Sequence, residues 1–324
     1  MPERHSTAIS LRSLEVFEAM ARTGSVHVAA RMLGMSAPAV SQPLHNLEGV
    51  LGQALVDHAH RPLELTRAGR TYLTHVREAL GQLRLGAEAL SLIDLSHLRR
   101  LSLGVIEDLD SEVTPRLTLA LRGVMKKCDL RLSTGLSHLI VEEVAARKLD
   151  VGFAARPLDL PAGVAELALL RDPFFLAAPR GHLRGPPETI EALFSLPFLR
   201  YEPSQLISRQ VTTHLARLKL SPPGQIEVYS NETMFGLIAS GAGWTITTAA
   251  SYLRAQKFDD RTEAFPLPFS GFSRTISLLY PSDWRSEIPQ TLAGVVRSIL
   301  SARLVEPGLA AWPWLQGNLM IVEA

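Results

Sequence analysis

The chain is short of most features that would assign it quickly. It has a single cysteine, Cys128, which excludes an internal disulfide and agrees with a reducing compartment. No apolar segment follows a basic start, so no signal peptide is expected. No apolar run approaches the roughly 20 residues needed to span a bilayer, so no membrane partner is expected and the expected location is the cytoplasm. Charge of one sign is scarce too. The formal net charge is +1, and residues 1–70 hold seven Arg against six Asp plus Glu, so electrostatics alone does not announce a nucleic-acid partner. His5, His27, His45, His58 and His60 fall in one stretch, yet His58 and His60 lack further ligands at a recognised spacing, and neither metal nor cofactor is expected. Lys126-Lys127 ahead of Cys128 would favour a thiolate and a redox sensor; a small, partly buried hydrophobe is the plainer reading.

What is present is a globular composition, 46% hydrophobic and 20% charged, in 324 residues, enough for two or three units with a sizeable core. Leu14, Phe17 and Met20 recur at helical spacing, Gly24-Ser25 ends one helix and caps the next, and Ala29, Ala30 and Leu33 pack that second helix closely. Gly34 permits a tight turn, Ser36 is a good N-cap, and Pro38 sits in the first turn of a third helix. Val40, Leu44, Leu47 and Leu51 form its apolar side, with Ser41, Gln42 and His45 opposite. A helix fits the major groove, where Gln suits adenine and Ser either partner. An ordinary helical bundle with a solvated face is the competing reading. Ala54-Leu55-Val56 and Arg61 to Thr66 read as two short strands around a polar tip, which makes a wing; Arg61 at that tip is placed to hold a phosphate or enter a minor groove.

The segment Ser25 to Gly69, with Ala29-Ala30, Ser36, Ala39-Val40-Ser41-Gln42, Leu47-Glu48, Leu51-Gly52, Leu65-Thr66 and Ala68-Gly69, resembles the winged helix-turn-helix of the LysR-type transcriptional regulators. Three residues depart from it: Val56 where Phe is usual, His58 where Arg is usual, and Pro43 inside the recognition helix. The DNA-binding residues this reading names are Ser36, Pro38, Ser41, Gln42, His45 and Arg61.

Leu73, Val76, Leu80, Leu83, Ala87 and Leu90 alternate three- and four-residue steps, one stripe of a helix of about 25 residues. Packing on the chain's own second domain would use such a stripe. The resemblance implies instead the linker helix through which subunits pair, hence a homodimer and the family's usual homotetramer. From Leu101 the pattern becomes strand, helix, strand, helix, strand, which predicts a parallel sheet. Leu101–Ile106, Leu130–Ser133 and Val151–Ala154 are its strands; Asp110 or Ser111 caps one helix, and Ser137–Lys148 forms another with Leu139, Val144 and Leu149 inward. A second set follows from Phe174 to Thr247, and Thr275–Tyr280 with Glu287–Leu304 return to the first.

The fold expected is α/β overall: a winged helix-turn-helix over 1–68, a long linker helix over 69–95, and a two-lobed effector-binding domain of periplasmic-binding-protein type over 96–324. Lobe I takes about 99–162 and 270–305, lobe II about 163–269. Ligands of such domains lie beyond the strand ends, where helix N-termini offer N–H groups. The effector candidates are Asp108, Ser137, His138, Tyr201, Ser204 and Thr233, for which ordinary capping is the plain alternative. Glu107, Asp108 and Asp110 would repel an anion unless paired, with Arg156 or Arg209 as candidate partners, so a carboxylate and an amphoteric metabolite both stay open. Thr248 stands where the family commonly has Pro.

The function expected is a sequence-specific regulator of promoter DNA, modulated by a small effector, with RNA polymerase a further partner the resemblance allows. Rival readings are a solute-binding protein of the same architecture and a hydrolase using Ser137 and His138. Gly135-Leu136-Ser137-His138-Leu139 lacks the second glycine of a nucleophile elbow, and no catalytic residue is expected. The tail with Trp312-Pro313-Trp314 and Leu319–Val322 reads as an added strand or an interface patch.

Overall fold

The computed structural model describes residues 9–57, 62–91, 98–125, 127–224, 226–284 and 287–323, with the side chains of 84–91 and 124 outside the description. The chain forms two compact units that divide at Ala87/Glu88.

The first unit holds α1 (Leu11–Thr23), α2 (Val26–Met32), α3 (Ala37–Leu51), β1 (Val56–Asp57), β2 (Glu64–Leu65) and α4 (Arg67–Ser91). Ser10 and Ser13 close a reciprocal cap on α1, and Gly24 ends it at φ 60, a conformation that side chains disfavour. Gly34, at φ 63, makes the turn into α3. Phe17, Ala29, Ala30, Val40, Leu44, Leu47 and Leu55 form one core. Leu73, Val76 and Leu80 belong to that same core, with Tyr72 against Phe17. The stripe expected to face a partner helix is therefore largely used by the head itself: three- and four-residue spacing serves any apolar neighbour. Leu83 is exposed, and the side chains of Ala87 and Leu90 lie outside those described.

The wing is two residues per strand, with Val56 opposite Leu65 and Asp57 opposite Glu64. Its base is fastened by polar bonds. The Glu48 carboxylate accepts the N–H groups of Leu55 (2.8 Å) and Val56 (3.2 Å), and the Thr66 hydroxyl donates to Ala54 O (2.7 Å). At Gly69 an added Cβ would stand 2.0 Å from Leu55 O, so only glycine lets α4 pass there.

The second unit runs β3 (Arg100–Ile106), α5 (Glu107–Asp110), α6 (Val113–Val124), β4 (Asp129–Gly135), α7 (Ser137–Ala145), β5 (Val151–Ala155), β6 (Val164–Pro179), β7 (Leu199–Tyr201), α8 (Leu206–Arg217), β8 (Ile226–Val228), α9 (Asn231–Ala239), β9 (Thr245–Thr248), α10 (Ala249–Arg254), β10 (Thr262–Phe265), β11 (Ser273–Pro281), α11 (Glu287–Leu300), α12 (Glu306–Ala311) and β12 (Met320–Ile321). A π-helical turn, Ser301–Val305, joins α11 to α12.

The sheet is parallel only across β4, β3 and β5; β11 runs antiparallel to β5 and β6. The parallel sheet expected from the first three strands therefore forms, and β11, returning from the other lobe, adds an antiparallel edge to it. β6 is one 16-residue strand. Its first part pairs with β11 as far as Pro173, and from Phe174 it pairs with β9 and β10. The first crossing between lobes thus lies at 173–174, not near 162. The chain crosses back between β10 and β11. β7 and β8 form a small parallel sheet of their own, and Phe198 bridges to Trp244.

Helix details also differ from expectation. Glu112 rather than Asp110 or Ser111 occupies the N-cap of α6, without a side-chain cap bond. α7 ends at Ala145, Leu139 is exposed, and Ile140, Val141 and Val144 turn inward. The tail is an added strand: β12 pairs with β6, Val322 N–H donates to Leu169 O (2.9 Å), and Leu315 and Leu319 are buried.

Candidate functional site

On the first unit, α3 presents a polar face. Ser36, Pro38, Ser41, Gln42 and His45 are all exposed, while Val40, Leu44 and Leu47 face the core. Ser36 holds the N-cap position but makes no cap bond with its side chain, contrary to its expected role. The Ser41 hydroxyl donates to Ala37 O (3.2 Å), and Gln42 Nε2 donates to Asn46 Oδ1 (2.9 Å). Both are exposed local bonds, exchangeable for an external partner at small net cost. Asn46 shares this face and was missed in the sequence, where only its i,i+4 spacing from Gln42 signals it. α3 continues through Pro43 unbroken, although a proline offers no N–H to the preceding turn. Arg61 and His58 lie outside the described residues.

In the second unit, a cleft opens where β3, β4 and β11 meet the N-termini of α7, α8 and α9. Asp108, Ser137, Tyr201, Gln205, Asn231, Ser251 and Arg274 are among its lining residues, around about 440 Å3 of space, open mouth included. Its floor is a buried ion cluster. Arg274 donates through Nε to Asp172 (2.9 Å) and through an Nη to Asp108 (2.6 Å) and Thr248 (2.9 Å). Asp172 also accepts Ala250 N–H (3.1 Å), and Asp108 accepts the Ser251 hydroxyl (2.9 Å). Beside it Arg254 pairs with Glu107 at 3.0 Å. These bonds tie α5 of the first lobe to α10 of the second.

Burial opposes the charge on Arg274, but Asp108 and Asp172 outweigh that and move its pKa up. Burial pushes Asp172 upward against the pull of Arg274, and raises Glu107 likewise, with Arg254 opposing. The Tyr201 hydroxyl donates to Asn231 Oδ1 (3.0 Å) and lies 2.8 Å from Thr247 Oγ1; burial raises its pKa, so the phenol stays neutral. Asn231 Nδ2 in turn donates to Ser251 O (2.8 Å).

The six effector candidates separate. Asp108, Ser137 and Tyr201 line the cleft, whereas His138 and Ser204 line a shallower groove with Pro157, Pro203 and Arg209. Thr233 is exposed in the first turn of α9 and lines neither; it is not the cap expected as the alternative, since Ser230 caps α9 by accepting the Thr233 N–H on its Oγ. The reason is periodicity: neighbours on a helix point about 100° apart. That divergence also separates Ser137, whose Oγ accepts Ala155 N–H (3.2 Å), from His138, whose buried Nδ1 has no partner. Asp108 pairs with Arg274, not with Arg156 or Arg209. Arg156 is held by Glu166 (2.7 Å), and Arg209 donates to Ser204 O. Phe153 and Trp244 are core residues. Cys128 is pushed upward by partial burial and by Asp129 and Asp150, which opposes a thiolate.

Sequence reading also missed Asp172 and Arg274. Each is a charge at an inward position of an otherwise apolar strand, which was the available signal. Among the described residues no group of three or more His, Cys, Asp or Glu is arranged to hold a metal ion, and no helix is long and apolar enough to cross a membrane.

A winged head and a two-lobed domain with a polar cleft together define a ligand-responsive DNA-binding regulator. Residues 11–70 match the family model described as a bacterial regulatory helix-turn-helix protein of the lysR family, and residues 96–300 match the LysR substrate binding domain. The transcriptional regulator CbbR of Rhodospirillum rubrum is 30% identical over 237 residues, 72% of this chain and 77% of that protein. CfxR of Cupriavidus necator is 27% identical over 238 residues, 73% and 74% of the respective chains. In fold, hydrogen-peroxide-bound OxyR of Corynebacterium glutamicum superposes with a TM-score of 0.56 at 19% identity, covering 98% and 99% of the two chains. Full-length BenM gives 0.54 at 21%, covering 90% and 97%. The chain belongs to the LysR family of transcriptional regulators, DNA-binding proteins with an effector-binding domain.

Proposed function

We propose that α3 reads promoter DNA through Ser41, Gln42 and His45, with Ser36 and Pro38 at its entry against the backbone and Arg61 in the wing on a phosphate. The observation that carries this is the outward polar face at the N-terminal half of α3, beside a core that holds the helix rigid. Regulators of this kind act as symmetric oligomers, and subunits pair along α4 from Leu83 onward, with Ala87 and Leu90 continuing the line; dimers pair again into tetramers. The protein works in the cytoplasm, takes no metal or cofactor, performs no catalysis, and on promoters meets RNA polymerase.

The cleft takes a small polar effector. Three carboxylates, Glu107, Asp108 and Asp172, face two guanidinium groups, Arg254 and Arg274, and those guanidiniums are already engaged. A simple anion meets excess negative charge there, which favours an amphoteric ligand whose cationic part sits toward Glu107 and whose acidic part sits at the N-termini of α7 and α8. Differential affinity for two lobe arrangements is what lets such a ligand act on DNA.

The test is a mobility-shift titration on the chain's own upstream DNA and on random DNA. A lost base contact costs ~1–3 kcal/mol of discrimination, so Gln42→Ala is expected to cut the specific-to-random ratio by roughly 5- to 150-fold and leave random binding near wild type. Equal loss on both DNAs would remove the base-reading role.

A further inference from the structure

Strand alternation gives the hinge two faces with different chemistry. Asp172 and Arg274, register partners on β6 and β11, serve the cleft, while Arg171 and Pro173, on the opposite face of β6, line a separate pocket that Phe174 and Phe272 complete at the crossings. That pocket lies over both interlobe crossings, at 173–174 and at 266–272. Its cavity measures about 300 Å3, at the lower end of the roughly 300–1,000 Å3 of small-molecule sites.

Its walls are aromatic. Phe174 and Phe272 stack at 4.2 Å and 9°, and His214 stacks on Phe272 at 3.9 Å, which holds that ring in place. The far wall is Trp314 from the C-terminal tail, set edge-on to Phe175 at 5.6 Å. The tail wall lies beyond residue 300, where the matched family domain ends. Among the described residues Arg171 is the single charged one that lines it. Its Nε donates to Ser273 Oγ (3.0 Å), and no carboxylate of the described residues lines the pocket. The cleft on the other face, with Glu107 and Asp108, has the opposite balance.

We infer that this pocket is a second small-molecule site, one that takes a planar aromatic carboxylate. The ring of such a ligand lies among Phe174, Phe269, Phe272 and Trp314, where offset and edge-on aromatic contacts add to simple burial. Its carboxylate meets the Arg171 guanidinium, a charge-assisted bond with no internal competitor, next to the Asn318 amide. A ligand there touches both chain crossings, so it favours one lobe arrangement over another wherever its affinity for the two differs. The site stands independently of the DNA-reading proposal.

The experiment is calorimetric titration of the full chain with naphthoate, and with naphthylmethylamine as the cationic counterpart. Saturable binding at one site per chain is expected, with the amine at least about tenfold weaker because the sole lining charge is positive. Arg171→Gln, an exposed position that leaves the fold intact, should weaken naphthoate about tenfold, and Arg171→Lys less. Trp314→Leu should weaken it and remove the ligand-induced fluorescence change. Ser137→Ala in the cleft should leave it unaltered. Wild-type affinity in Arg171→Gln, equal binding of the amine, sensitivity to Ser137→Ala, or no saturable heat at millimolar naphthoate would each overturn the site.

Discussion

Arg274 shows how strongly context sets the worth of one charge. Its side chain is 3% exposed and its partner Asp172 is fully buried, so neither has water to fall back on. Truncating one member of such a pair strands the other, which costs ~3–5 kcal/mol. Arg274→Met is therefore expected to lower the denaturation midpoint of the effector domain by several kilocalories' worth in a urea titration. By contrast Arg147 and Asp283 are 59% and 63% exposed, and breaking that pair should leave the midpoint almost unmoved. Similar losses from Arg147→Ala and Arg274→Met would contradict the burial argument. Thr248 contributes at the same scale: its hydroxyl accepts from Arg274 and caps α10, which the family's usual proline has no group to do.

At the scale of an element, the wing is too small to hold itself. Two residues per strand and one cross-strand ladder are below what an isolated hairpin needs. It is held by α3 through Glu48 and by α4 through Thr66, whose Oγ1 accepts Gly69 N–H at 2.9 Å. Hydrogen bonds to a charged acceptor contribute roughly 1.5–3 kcal/mol, so Glu48→Ala should loosen the wing by about that amount. Backbone amide exchange at Leu55 and Val56 would rise while the core amides of α1 stay protected. Unchanged protection at both positions would show that packing of Leu55 and Val56 holds the wing instead. Pro43 raises a related point. The helix survives it because its other side is anchored by Val40, Leu44 and Leu47, so tertiary packing offsets the missing backbone bond.

At the scale of the molecule, the C-terminal tail is part of the effector domain and not an appendage. Leu315 and Leu319 are buried, Trp312 lies against Phe175 and Tyr252, and β12 covers β6 along Leu170 and Arg171. Fully burying a leucine contributes ~1.5–3 kcal/mol, so removing the tail after Val305 forfeits about 3–6 kcal/mol from the two leucines alone. Thermal unfolding of the truncated chain should show the effector-domain transition lowered by many degrees with the head transition unmoved. A tail-less chain as stable as the full one would make the tail dispensable.

Local order was readable from the residues alone wherever one segment supplies its own cause. Gly24, Gly34 and Gly52 mark helix ends because the backbone there turns left-handed. The apolar spacing of α3 placed Ser41, Gln42 and His45 outward, and the alternation of strands and helices from Leu101 foretold an α/β domain. What faces what could not be read, since a periodic stripe records that a side is buried and not which partner buries it. Leu73, Val76 and Leu80 fit a second subunit as well as they fit the head's own core, and only the folded chain chose. Likewise Asp172 and Arg274 meet across 102 residues, joined by the antiparallel register of β6 and β11, and that pairing alone makes a buried charge tolerable and gives the cleft its floor.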